Sequence, residues 1–348
     1  MFKRILSALI ATVLIFSCAT AVSAISLDEG IQDLRAQFSH GEGPVVGKYS
    51  VDYRYFSPVK DGDSTKYPLV IWLHGLGDGG KEGAPLQKSD IAYWASDEFQ
   101  SRFDAKGAFV MIARSREELG VCWSNDMIEP LYGAITELIS IYKKNIDLSR
   151  IYIGGYSMGG KMTLKMAIAY PEMFAAAFPM CPAWSPSSEL LENLKDMPVW
   201  ILSSTRDPLV NYYFAVTPTW EKLIGVSNVP ESCRFSTFNR VCFPNGKKTS
   251  SNHHVWFAVN YDLFTTENGA YYNMSTVNGK GEEVTLNYPD GMISWLTSHT
   301  SDFDGTAIEG TGNIKDGDQT DNMIALDGVR EFFRHLINAI KSVFKNGI

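Results

Sequence analysis

Several stretches of the chain carry apolar residues in unbroken runs rather than in alternation. They lie within "YPLVIWLHGLGDGG", "GAFVMIARS", "SRIYIGGYS", "FAAAFPMC" and "MPVWILSSTRD". Such runs predict strands covered on both faces. Between them, "IEPLYGAITELISIYKKNI" and "GGKMTLKMAIAY" repeat with helical period. Buried strands alternating with helices predict an α/β domain built on a mostly parallel, doubly wound sheet. Ahead of them, "SLDEGIQDLRAQF" predicts a short helix capped by Ser26 or Asp28, and "VGKYSVDYRYFSP" alternates like an exposed strand stopping at Pro58.

This pattern spans residues 25–300 and changes at both ends. Residues 1–24 begin with Lys3 and Arg4, continue as an apolar run from Ile5 to Phe16 and finish in Val22-Ser23-Ala24. That predicts a signal peptide and a secreted or extracytoplasmic protein. The run is short for a membrane span, and Phe16 is too bulky for the small-residue approach to a lipidated Cys18. Residues 301–325 are rich in Gly, Asp and Thr and predict an acidic linker. Residues 326–348 return to helical period, with Val329, Phe332, Phe333, Leu336, Ile340, Val343 and Phe344 on one face. Such an amphipathic helix suits peripheral contact with a membrane or cell surface, or docking on the main domain.

Composition narrows the partners. At 348 residues, 45% hydrophobic, the chain can bury a full core. A net charge of −8 and no basic patch exclude a nucleic-acid partner. Beyond the signal segment lie Cys122, Cys181, Cys233 and Cys242. An even number in a secreted chain predicts disulfides, with Cys233–Cys242 as a local bridge and Cys122–Cys181 by elimination. No His/Cys cluster has zinc spacing and Asp316-x-Asp318 lacks the later ligands of a calcium loop, so no metal or cofactor is expected.

The chemistry concentrates in "RIYIGGYSMGGKM", residues 150–162. Gly155 to Lys161 fits the start of a phosphate-binding loop, but Met162 stands where Ser or Thr must bind Mg²⁺. Gly155-Tyr156-Ser157-Met158-Gly159 also fits G-x-S-x-G, between a buried strand and a helix. In that setting a strained turn presents Ser157 as a nucleophile at a helix N-terminus. A neutral serine needs a base, and the base needs an orienting carboxylate. His253 and His254 follow in a loop, and Asp207 ends the strand "PVWILSS", giving the order Ser, Asp, His. The oxyanion donors are the N–H groups of Met158 and of Leu76 in the "HGLGDGG" loop, where His74 is placed as a brace. Trp123 and Trp184 follow strand ends and are candidate walls of a substrate cleft, as is the more distant Trp94.

The segments "HGLGDGG", "DLSRIYIGGYSMGG", "FAAAFPMC", "TRDPLV" and "HHVW" together resemble the secreted α/β-hydrolases of the poly(3-hydroxybutyrate) depolymerase and feruloyl esterase type. The resemblance covers about Val46 to Thr297. It implies an α/β-hydrolase fold, with the linker and amphipathic helix appended, and a serine hydrolase acting on small or polymer-linked esters. It also selects His253, because the family's histidine stands three residues before a tryptophan, here Trp256. Asn252 stands where the family usually has glycine. Two other readings remain: a serine peptidase using the same triad, and a non-catalytic surface-binding module on the same fold.

Overall fold

A computed structural model describes residues 29–116, 122–242, 248–262, 265–266, 269–270, 273–286, 291–311 and 314. The expected signal peptide and C-terminal helix, with most of the expected linker, lie outside the described residues.

The unbroken apolar runs form the centre of a nine-stranded sheet, in the order β1-β2-β4-β3-β5-β6-β7-β8-β11. These strands are β1 Ser39–Glu42, β2 Asp52–Phe56, β3 Tyr67–Leu73, β4 Phe109–Arg114, β5 Ile146–Tyr156, β6 Ala176–Met180, β7 Trp200–Ser204, β8 Arg234–Arg240 and β11 Asn273–Asn278. A separate two-stranded ribbon pairs β9 Thr265–Thr266 with β10 Gly269–Ala270. From β4 to β8 the neighbours run parallel, and β1, β2 and β11 are antiparallel at the two edges. β3, β4 and β6 are buried at every position, as strands covered on both faces must be.

The helices are α1 Glu29–Arg35, α2 Ala84–Lys88, α3 Asp97–Gln100, α4 Ile128–Ile141, α5 Met158–Ala169, α6 Ser188–Leu191, α7 Thr217–Val226, α8 Trp256–Asn260 and α9 Met292–Thr297. None of them is long and apolar enough to cross a membrane. α5 follows the G-x-S-x-G turn and is buried from Gly159 to Ala169, Lys161 and Lys165 included. Lys165 reaches Asn125 Oδ1 at 2.5 Å and lies 5.1 Å from the Trp184 ring centroid, so its charge is accommodated.

Sheet register decides where chemistry can occur. Leu73 pairs with Gly155, Tyr156 with Met180, and Ser204 with Phe238. The loops that follow β3, β5, β6, β7 and β8 therefore leave one carboxyl edge of the parallel sheet side by side, the usual site of ligands in such folds.

The beginning of the expected linker is fastened to the domain. Ser301 N–H donates to Ser149 O (2.8 Å), Thr311 N–H to Ala169 O (3.0 Å) and Ile308 N–H to the Tyr132 hydroxyl (3.1 Å). Phe303 and Ile314 are buried. Backbone hydrogen bonds hold a segment whose composition alone reads as solvated.

The expected disulfides are also corrected, because no bridge joins the four cysteines. The Cys181 thiol points to the carbonyl of His253 (3.6 Å), and the Cys233 thiol lies 3.6 Å from Ser227 Oγ. Both thiols are turned to partners other than a second sulfur.

Candidate active site

Ser157 sits between β5 and α5 with φ 57° and ψ −117°, a strained conformation for a residue with a side chain. The turn closes so tightly that a Cβ on Gly159 would lie 2.2 Å from Leu73 O and 2.5 Å from His74 O. Glycine is required there because both obstacles are backbone. The Ser157 N–H donates to Met180 O (2.9 Å), and its carbonyl accepts from Lys161 (3.0 Å) and Ala183 (3.2 Å). The nucleophile candidate is thus pinned while Met158, the first residue of α5, keeps an N–H that no preceding turn can accept.

Asp207 and His253 meet across 46 positions of sequence. His253 Nδ1 lies 2.7 Å from Asp207 Oδ2, and both side chains are buried. The imidazole N–H donates to the carboxylate, which leaves Nε2 with the lone pair a base needs. The other carboxylate oxygen accepts from the N–H groups of Leu209 (2.8 Å) and Val210 (3.0 Å). These bonds fix the carboxylate in the tight Asp-Pro turn. Burial alone pushes the His253 imidazolium down, but the Asp207 charge beside it wins, and the group sits well above the usual histidine value.

His254 has a different fate. Its ring packs on Trp256 at 4.6 Å and Phe257 at 5.9 Å. Burial, then the charge of His253, pushes it down to about 4. The geometry therefore distinguishes the two adjacent histidines. Asn252 helps hold the loop, because its Oδ1 accepts from the Val241 N–H (3.2 Å).

The loop after β3 carries Leu76, which is 55% exposed. His74 braces this loop from below. Its Nε2 accepts from the Ser115 N–H at 3.0 Å, so the proton resides on Nδ1, which donates to Gly75 O at 2.6 Å. Trp123 completes the brace, donating its indole N–H to His74 O at 2.9 Å.

This contact corrects the expected role of the tryptophans. Trp123 is 0% exposed and Trp184 is 1% exposed. Trp184 packs over Lys165, and Trp94, also buried, donates to Asn260 O at 2.9 Å. Rings with no accessible surface support the site from inside and do not wall a cleft. Tyr156 and Asp78 were missed by sequence reasoning. The Tyr156 hydroxyl donates to Asp78 Oδ2, linking the Ser157 turn to the Leu76 loop. No spacing rule signals that pair.

Cys181 Sγ, Asp207 and His253 place their ligand atoms within 4.8 Å of one another. A soft metal could use such donors in principle. Asp207 already accepts three hydrogen bonds, one of them from His253, so these groups are satisfied by one another and by backbone.

Sheet order, strained serine turn and carboxylate–histidine pair define an α/β-hydrolase fold. Residues 124–239 match the family described as phospholipase/carboxylesterase, a range containing Ser157 and Asp207 and ending before His253. Feruloyl esterase B of Neurospora crassa is 32% identical over 139 residues, covering 37% of this chain. The chain spans 44% of the length of that curated relative. The crystal structure of a thermostable esterase superposes with a TM-score of 0.57 at 24% identity, covering 77% of this chain and 64% of that one. The chain has an α/β-hydrolase fold, and parts of it are similar to the phospholipase/carboxylesterase family and to a feruloyl esterase.

Proposed function

We propose that the chain hydrolyses carboxylic esters through Ser157, His253 and Asp207. His253 Nε2 takes the Ser157 proton as the hydroxyl attacks the ester carbonyl. The Leu76 and Met158 N–H groups receive the developing oxyanion. The imidazolium then protonates the departing alcohol, leaving an acyl group on Ser157. Water, deprotonated by the same histidine, releases the acid and restores the serine.

The observation that carries this reading is the 2.7 Å Asp207–His253 contact at the sheet edge where the strained Ser157 emerges. The likeness to a feruloyl esterase supports feruloyl esters as the substrate class. The signal-like pattern of residues 1–24 supports export, and the amphipathic pattern of residues 326–348 supports contact with a membrane or cell surface. A panel of p-nitrophenyl, feruloyl, acetyl-sugar and short polyester substrates tests the reading against Ser157→Ala. Hydrolysis that survives the substitution, or an inert wild type, refutes it.

A further inference from the structure

Tyr156, next to Ser157, touches both the loop that carries Leu76 and the tryptophan beside His253. Its hydroxyl donates to Asp78 on the loop carrying Leu76. Its ring stacks on Trp256, with centroids 3.9 Å apart and planes 27° from parallel. Trp256 lies three residues beyond His253 and meets that imidazole edge to face at 5.9 Å. The indole N–H of Trp256 is buried without an acceptor, so packing holds this ring in place. Gly75 lies directly on the tyrosine, since a Cβ there would come within 2.4 Å of the ring. Trp72, 5.3 Å away, closes the remaining side from within β3. Tyr156 is only 3% exposed, so it does not present itself to a substrate.

We propose that Tyr156 is a positioning residue that locks the oxyanion loop and the His253 loop to the Ser157 turn. The proposal rests on the hydrolase reading above. The hydroxyl holds Asp78 and thereby the turn from Gly75 to Asp78, where the Leu76 N–H must be aimed. The ring holds Trp256 and thereby the chain that carries His253. One side chain thus sets the distances between nucleophile, base and oxyanion donor, which catalysis requires to fractions of an ångström.

Tyr156→Phe removes the hydroxyl and keeps the stack. We expect kcat on an aryl ester to fall about 10- to 100-fold with KM within about threefold, because the loss is one of alignment in the transition state. Hydrogen exchange should rise in peptides covering residues 74–83, with little change in melting temperature. Asp78→Asn keeps a carbonyl to accept the phenol proton and should retain more activity than Asp78→Ala. The Asp78→Ala/Tyr156→Phe double variant should be no slower than the slower single variant. A wild-type kcat in Tyr156→Phe, or losses that multiply in the double variant, overturns the proposal. Should Tyr156→Phe not fold, the two Asp78 variants carry the comparison, and equal activities for them overturn it. An inert wild type defeats the esterase reading alone. The lock is then judged by exchange, and unchanged rates at residues 74–83 refute it.

Discussion

Asp207→Asn separates a catalytic role for the carboxylate–histidine pair from mere packing. The replacement is isosteric, and its carbonyl oxygen can retain the N–H bonds from Leu209 and Val210, now 2.8 and 3.0 Å. Its amide N–H₂ then faces His253 Nδ1, where the carboxylate stood at 2.7 Å. A donor in that place forces Nδ1 to accept, so the proton moves to Nε2 and the base is lost. Wrong-tautomer losses of this kind run to about 10⁴-fold in kcat, or about 5 kcal/mol of barrier. The pH profile carries a second signature. Catalysis needs neutral His253, and Asp207 holds its imidazolium well above the usual value, so wild-type activity should fall as pH drops through a limb above pH 6.5. Without the carboxylate, burial dominates, and the residual activity should show its limb below that value. Rates on an aryl ester across pH provide the assay, with circular dichroism to confirm folding. A loss under tenfold, or an unmoved acid limb, refutes the reasoning.

Other consequences are more local. Gly159→Ala should abolish activity and lower Tm by about 2–10 °C, because the new Cβ would meet two backbone carbonyls that cannot move aside; a stable, active variant contradicts the turn described. Trp123→Phe withdraws the donor from His74 O and should cost about 1–3 kcal/mol in denaturant unfolding, with reduced kcat. His254→Ala should leave the acid limb of the pH profile where it was, whereas the other adjacent histidine cannot be removed without loss of activity. In denatured, unreduced protein Cys122, Cys181, Cys233 and Cys242 should each be alkylated when mapped by peptide, and protection of two of them would establish a disulfide.

The sheet was legible where burial is encoded by composition. The runs that became β3 through β7 are apolar because parallel strands are covered on both faces. The Ser157 turn was legible for a related reason: Gly155 and Gly159 answer a steric demand that other residues cannot meet. Asp207 and His253 followed from the chemistry a serine needs, with family likeness choosing between adjacent histidines. Other features depend on contacts that leave no local mark. Trp123 and Trp184 look alike in sequence whether they face a cleft or the interior, and only tertiary packing buries them. The cysteines count as pairs, yet the Cys181 thiol faces the His253 carbonyl. The Tyr156–Asp78 bond spans 78 positions, and residues 301–311 are held largely through backbone groups common to every sequence.

The proposed chemistry depends above all on Ser157 being the activated nucleophile. Incubating the native protein with a fluorophosphonate and mapping the adduct by peptide mass spectrometry tests it directly. One phosphonyl group is expected on Ser157, with labelling lost in Ser157→Ala and slowed in Asp207→Asn. Labelling of another residue, or none in folded wild-type protein, contradicts it.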